Sequence, residues 1–267
     1  MKDESKSQSR NHSDEAEDGR DKSSADLGIV CTHSGEIRPL LKRLDRVRKY
    51  VDGKLTFRGG FLQEDLRIAT VEAGAGFAAH RTATEVLIHE HRPAWVLSVG
   101  FSSALSPLLQ KTDLTVAGEI VDTHGSIHPV KCPLPATKRV HVGRHVVADR
   151  RPVTVQEKRK LATLSGAIAV DISSGAVAQV CSERTVRFLS IRAIIDGVEE
   201  EIPEQAVPLI FDPGSKAIGG ALATIIQGWR KAAVMNDWRT ITRDAAEHLD
   251  RYVAGVMLRL GEKLRNQ

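Results

Sequence analysis

Short apolar runs alternate along this chain with segments of helical periodicity, and no run approaches the 18 residues of a membrane-spanning helix. The runs are Leu27–Cys31 (LGIVC), Leu55–Gly60, Leu66–Glu72 (LRIATVE), Trp95–Gly100 (WVLSVG), Leu114–Ala117, Ala167–Asp171 (AIAVD) and Phe188–Ile195 (FLSIRAII). Each is short and rich in β-branched residues, as strands buried on both faces are. Between them, Ile37, Leu40, Leu41 and Leu44 fall at helical spacing and predict a helix over Glu36–Arg48. Further helices are predicted over Ala78–His89 and Gly175–Arg184. Pro203, Pro208 and Pro213 break the chain into turns, and residues 214–267 read as mostly helical. This alternation predicts an α/β fold: a three-layer sandwich whose central sheet is mixed and largely parallel.

The first 26 residues stand apart. They contain one Met, two Ala and no other apolar side chain, too little to offset the entropy of ordering. They are expected to form a disordered polar tail, with one folded domain over 27–267. The tail carries about −3, so the formal charge of +4 leaves about +7 on the remainder. That basic balance does not point to a nucleic-acid polymer, because only 4% of residues are aromatic and the bases are scattered among acids. Cys31, Cys132 and Cys181 are far apart and form no C-x-x-C, which excludes a disulfide scaffold and a cysteine zinc site. With a polar N-terminus lacking an apolar signal core, the expected location is cytoplasmic.

Local motifs are modest on their own. Gly74-Ala75-Gly76 follows a strand and precedes a helix, as phosphate loops do, but the third glycine of a dinucleotide fingerprint and a Walker lysine are both missing. A tight turn explains it equally well. Glu36 lies at a helix start beyond the first strand, and Asp196 ends the last one; each taken alone reads as a dipole partner or a cap. His80, His89 and His91 are better explained by a helix C-terminus than by a metal. Trp229 and Trp238 read as core anchors, and the apolar stretch 217–226 as a packed helix.

Four segments together carry a resemblance. They are L-G-I-V-C-T-H-S-G-E-I at 27–37, A-G-A-G at 73–76 followed by Ala78-Ala79, and V-L-S-V-G-F-S-S-A-L at 96–105. The fourth is A-I-A-V-D-I-S-S-G-A-V-A-Q-V-C at 167–181 paired with F-L-S-I-R-A-I-I-D at 188–196. This order resembles the nucleoside phosphorylase superfamily, and within it most closely the methylthioadenosine/S-adenosylhomocysteine nucleosidases. Those have A-V-D-M-E-S-x-A-V-A followed by R-x-I-S-D.

The resemblance implies an N-ribosyl hydrolase that releases the base of a purine nucleoside, without metal or organic cofactor, and a homodimer. It implies Asp196 as the acid toward N7 of the base, Glu36 as the residue activating water, and Arg192 as their companion. Gly76, Phe101, Ser102, Ile172, Ser173 and Ser174 fall at substrate-binding positions. The Met-Glu pair that grips the ribose is replaced by Ile172-Ser173, and a serine cannot hold two vicinal hydroxyls as a carboxylate does. Each lost charge-assisted bond costs about 1.5 to 3 kcal/mol. Ser98 stands where phosphorylases carry a phosphate-binding arginine, with Arg81 on the next helix as the only nearby substitute. A phosphate-dependent phosphorylase, including the hopanoid-associated type, and a non-catalytic nucleoside-binding homologue remain as alternatives.

Overall fold

The computed structural model describes residues 24–130, 135–203 and 225–267, with side chains of the last helix from residue 236 onward. The tail through residue 23, Cys132, Pro208, Pro213, the stretch 217–224 and the Trp229 side chain lie outside these described residues. Ala25 and Asp26 are already tied to the fold: their N–H groups donate to His91 O (2.8 Å) and Arg67 O (2.9 Å).

The elements are β1 (Leu27–Cys31), α1 (Ser34–Leu41), β2 (Leu44–Asp52), β3 (Leu55–Leu62), β4 (Leu66–Glu72), α2 (Phe77–His91) and β5 (Trp95–Ala104). They continue with β6 (Leu114–Asp122), β7 (Ile127–Pro129), β8 (Val140–Val147), α3 (Val155–Ser165), β9 (Ala169–Asp171), α4 (Ser174–Glu183), β10 (Arg187–Asp196) and α5 (Ile225–Arg265). All ten strands form one mixed sheet. β1 lies parallel between β4 and β5, and β10 runs parallel on the other side of β5. Because β10 also pairs with β6, the strands β5, β10, β6, β8 and β9 close into a ring, while β1, β4, β3 and β2 extend from it as an open wing.

Alternation of side chains across the sheet builds two cores. Leu27, Ile29, Leu97, Val99, Leu189 and Ile191 point to one face, where Ile37 and Leu40 of α1 and Leu249, Val253 and Met257 of α5 cover them. Val30, Val71 and Val96 point to the other, against Ala83 and Leu87 of α2 and Val177 of α4. The expected three layers are therefore present. Among the described residues no helix is long and apolar enough to cross a membrane.

The first predicted helix is too long. It ends at Leu41, with Pro39 inside it removing a helical N–H donor. Leu44–Asp52 instead pairs antiparallel with β3, and Tyr50 stacks on Phe57 with centroids 4.8 Å apart. Only Leu44 of this strand is buried, and Arg48 and Lys49 suit an exposed sheet edge. β5 also runs on through Phe101–Ala104, past the end expected at Gly100, because β10 and β9 flank that stretch. The elements β7, β8 and α3 were not anticipated.

One buried group makes the fold sensitive to acid. His145 on β8 is fully buried, and neither of its ring nitrogens has a hydrogen-bond partner among the described residues. Burial lowers its pKa from 6.5 to about 4, with Arg192 acting in the same direction and Asp171 against it. The unfolded chain therefore binds this proton first. His145 should cost the fold about 3 kcal/mol as pH falls from 6.5 to about 4. Buried His80 is shifted the same way. In urea unfolding across that window, His145→Leu should lose less stability than the parent by about that amount; parallel curves would exclude His145 as the cause.

Candidate functional site

At the carboxyl end of β1 the chain turns, and His33 Nδ1 accepts the Gly35 N–H (3.1 Å) to start α1. This places Glu36 in the first helical turn, only 4% exposed. Its Oε2 accepts the Thr32 N–H at 2.7 Å and its Oε1 the Phe101 N–H at 3.2 Å. The carboxylate lies directly over Gly100, where an added Cβ would come within 2.7 Å of Oε1. Glycine at 100 is thus the condition for Glu36 to reach β5.

β10 supplies two charges. Arg192 sits beside Gly100 in the parallel register and is 1% exposed. Its Nε faces Asp171 Oδ2 at 3.2 Å. Nη1 donates to Ser98 O and Nη2 to Ser98 Oγ, both at 2.7 Å, and Nη2 reaches Ser173 Oγ at 3.3 Å. Asp171, at the end of β9, also accepts the Ser173 and Ser174 N–H groups at 2.7 Å and the Ser174 hydroxyl at 2.7 Å. Burial pushes its carboxyl up, but Arg192 and these N–H donors outweigh it and hold the group well below the usual carboxylate range.

Asp196 lies beside Ser103 and is wholly buried. The Ser103 hydroxyl donates to its Oδ1 at 2.9 Å, Lys158 Nζ meets its Oδ2 at 2.5 Å, and Arg151 Nη1 stands 3.7 Å from Oδ1. Lys158 comes from α3, is fully buried, and also donates to Gly197 O (2.9 Å) and Glu200 O (2.6 Å). Burial pushes the Asp196 carboxyl up, while Lys158 and Arg151 oppose that rise. Arg151 Nη2 donates to Phe101 O at 3.0 Å.

These side chains surround one small pocket, lined by Thr32, Glu36, Gly100, Phe101, Arg151, Asp171, Ile172, Ser173 and Arg192. Of the residues singled out from sequence, Glu36, Arg192, Phe101, Ile172 and Ser173 meet there. Asp196 stands next to it, in contact with Arg151. Ser174 holds Asp171 from behind, and Ser102 turns into the core to donate to Val170 O at 2.8 Å. Gly76 forms the turn before α2 with φ of 96° and accepts the His80 N–H. Arg81 does not reach in; it pairs with Glu183 and Glu85 at the surface. Ser98, expected only as a missing arginine, anchors Arg192.

Sequence reasoning passed over Arg151, Asp171 and Lys158. A signal for α3 was present: Thr154 and Glu157 form a capping box, with Glu157 N–H to Thr154 Oγ1 at 3.2 Å and Thr154 N–H to Glu157 Oε2 at 3.1 Å. It would have placed Lys158 one helical turn past the cap. Nothing local marks Arg151.

Residues 131–227 match the model of the phosphorylase superfamily. The 5'-methylthioadenosine/S-adenosylhomocysteine nucleosidase of Staphylococcus aureus is 21% identical over 196 residues, covering 64% of this chain and 86% of that protein. Among solved structures, the nucleosidase of the same name from Helicobacter pylori, with butyl-thio-DADMe-Immucillin-A, superposes at a TM-score of 0.64. It has 17% identity and covers 86% of this chain and 98% of that one. The Neisseria meningitidis nucleosidase, in complex with methylthio-immucillin-A, gives 0.63 at 17% identity over 86% and 98%. Futalosine hydrolase of Helicobacter pylori gives 0.60 at 18% identity over 84% and 95%.

The Glu36–Gly100 contact is testable as a cycle. Gly100→Ala should destabilise the fold by about 1 to 3 kcal/mol through the clash with the carboxylate. In the Glu36→Ala background the same change should cost less than half as much, measured by urea unfolding. Equal costs in both backgrounds would mean that Glu36 does not press on residue 100.

Proposed function

We propose that this distant relative of the phosphorylase superfamily is an N-ribosyl hydrolase acting on a purine nucleoside. The observation that carries the reading is the meeting of Glu36 and Arg192 in one pocket, with the Asp196–Lys158 pair beside it. In hydrolysis, water attacks the anomeric carbon and gives its proton to Glu36. The bond from that carbon to N9 breaks, its electron pair leaves with the base, and Asp196 delivers a proton to N7. Burial raises Asp196 in the direction an acid needs. Lys158, fixed by two backbone carbonyls, holds the Asp196 carboxyl in place.

Water is favoured over phosphate as the acceptor by charge. Glu36 and Asp171 line the same pocket as the two guanidiniums, and Arg192 is already committed to Asp171 and Ser98. A dianion there meets two carboxylates and no uncommitted clamp. Ser173 lies against Arg192, so the sugar is held by a hydroxyl where the nucleosidases use a carboxylate. The proposed setting is the reducing cytoplasm, in keeping with the buried free thiols of Cys31 and Cys181.

Purified protein should release free base from a purine nucleoside in phosphate-free buffer, read by chromatography after incubation with methylthioadenosine, S-adenosylhomocysteine, adenosine and inosine. Glu36→Gln should lower kcat about 100-fold or more. Release that requires phosphate and yields ribose 1-phosphate would reassign the chain as a phosphorylase. Binding without release would make it a non-catalytic homologue.

A further inference from the structure

Lys158 is fully buried, and a lysine ammonium has three N–H groups and no acceptor. Two of them go to Gly197 O (2.9 Å) and Glu200 O (2.6 Å). The third is left for Asp196, whose Oδ2 stands 2.5 Å from Nζ. The capping box of Thr154 and Glu157 fixes the helical turn that carries Lys158. On the other side of the ammonium, Glu200 Oε2 accepts the Gly197 N–H at 3.0 Å and closes the turn after β10. One charge thus joins the first turn of α3 to the end of β10 and to the turn that follows it.

The two oxygens of Asp196 differ as a result. Oδ2 faces a group that can only donate, so a proton there would lie against an N–H of the ammonium. Oδ1 faces the Ser103 hydroxyl at 2.9 Å, which can donate to it or accept from it. Arg151 Nη1 is 3.7 Å from Oδ1, beyond hydrogen-bond reach. A neutral Asp196 therefore has room for its proton on Oδ1 alone. Oδ1 is also the oxygen that stands beside a residue lining the pocket.

We infer that Lys158 is a positioning residue for the proposed hydrolysis: by occupying Oδ2 it seats the transferable proton of Asp196 on Oδ1. This rests on the nucleosidase reading for the destination of that proton. On transfer the bond from Oδ1 to hydrogen breaks and the bond from N7 to hydrogen forms. The carboxylate left behind has Lys158 at Oδ2 and Ser103 at Oδ1. The proton of the attacking water goes to Glu36, and exchange with solvent restores both carboxyl groups, so no further reactant is needed.

The same contact favours the ionised form of the acid, so removing the charge should keep Asp196 protonated to higher pH. Among the described residues, Asp196 faces Lys158 from α3, Arg151 from the turn before it, and uncharged Ser103 from β5. Arg151 in turn feels Glu36, Asp171 and Arg192, and Lys158 acts on Glu200. Apart from Lys158 itself, the variants below leave all of these in place.

Neutron diffraction from deuterated crystals of the parent protein at mildly acidic pD reads the proton directly. Deuterium on Oδ1 is expected; deuterium on Oδ2, or on neither oxygen, would overturn the assignment. Kinetics on the full chain test the role. Lys158→Gln keeps donors for the two carbonyls and drops the charge. It should lower kcat about tenfold with little change in KM, and move the alkaline limb of kcat/KM up by about one pH unit or more. Lys158→Arg, which keeps the charge, should leave that limb where the parent has it. A loss of kcat in Lys158→Gln with the limb unmoved would make Lys158 a support of the fold and overturn the positioning role. If no nucleoside is cleaved by the parent, the hydrolase reading falls, and the neutron map alone decides which oxygen of Asp196 carries the proton.

Discussion

Two opposite charges on one buried strand impose the strongest constraint on this molecule. Arg192 and Asp196 both belong to β10, and both are at most 1% exposed. Each ion taken out of water costs several kcal/mol unless a counter-charge and hydrogen bonds meet it. They cannot neutralise one another directly, because each is committed to a partner from elsewhere: Asp171 from β9 for Arg192, and Lys158 from α3 for Asp196. β9 must therefore close the ring against β5, and α3 must dock its first turn against the end of β10. The polar serines follow from the same need, with Ser98 and Ser173 serving Arg192 and Ser103 serving Asp196.

The pocket is a consequence of that network. Fixing Arg192 beside Gly100 and opening β5 at a glycine lets Glu36 approach from α1 and accept the Phe101 N–H. Charges of both signs then meet: Glu36 and Asp171 line one small space together with Arg151 and Arg192. Such a lining suits a polar reactant whose charge changes during reaction, since fixed charges of both signs are already oriented before it arrives. It also separates tasks. Asp171 is held ionised by the N–H and hydroxyl donors of Ser173 and Ser174 and by an arginine, while Asp196 is pushed toward its neutral form by burial. Two similar carboxyl groups thus behave differently in neighbouring places.

Much of this was legible in the order of residues, for a local reason. A short run such as Leu27–Cys31 or Leu66–Glu72 declares itself by composition, and the observed strands keep those bounds. The helix from Glu36 was read to Arg48, seven residues past its end at Leu41, because Leu40, Leu41 and Leu44 fit a helical face until pairing with β3 is known. β8 was missed because Val140–Val147 interleaves His141, Gly143, Arg144 and His145 with valines, a pattern that carries no strong strand signal. Glu36 and Arg192 could be named from motif order, yet Lys158 and Arg151 could not, although both touch or approach Asp196.

The sequence by itself determined the alternation of strands and helices, the apolar faces that form the two cores, and the chain order of Glu36, Asp171, Arg192 and Asp196. These are properties of neighbours along the chain, where propensity and periodicity act. Only the tertiary structure decided that β10 pairs with both β5 and β6, and that a fully buried lysine meets Asp196. It also decided that an arginine from an unmarked turn lines the pocket beside Asp196. Those outcomes depend on contacts between residues far apart in sequence, such as Phe101 with Arg151 and Gly197 with Lys158, and on the cost of leaving a buried charge unmatched. Desolvation acts on the folded whole, so no local pattern of residue types records it.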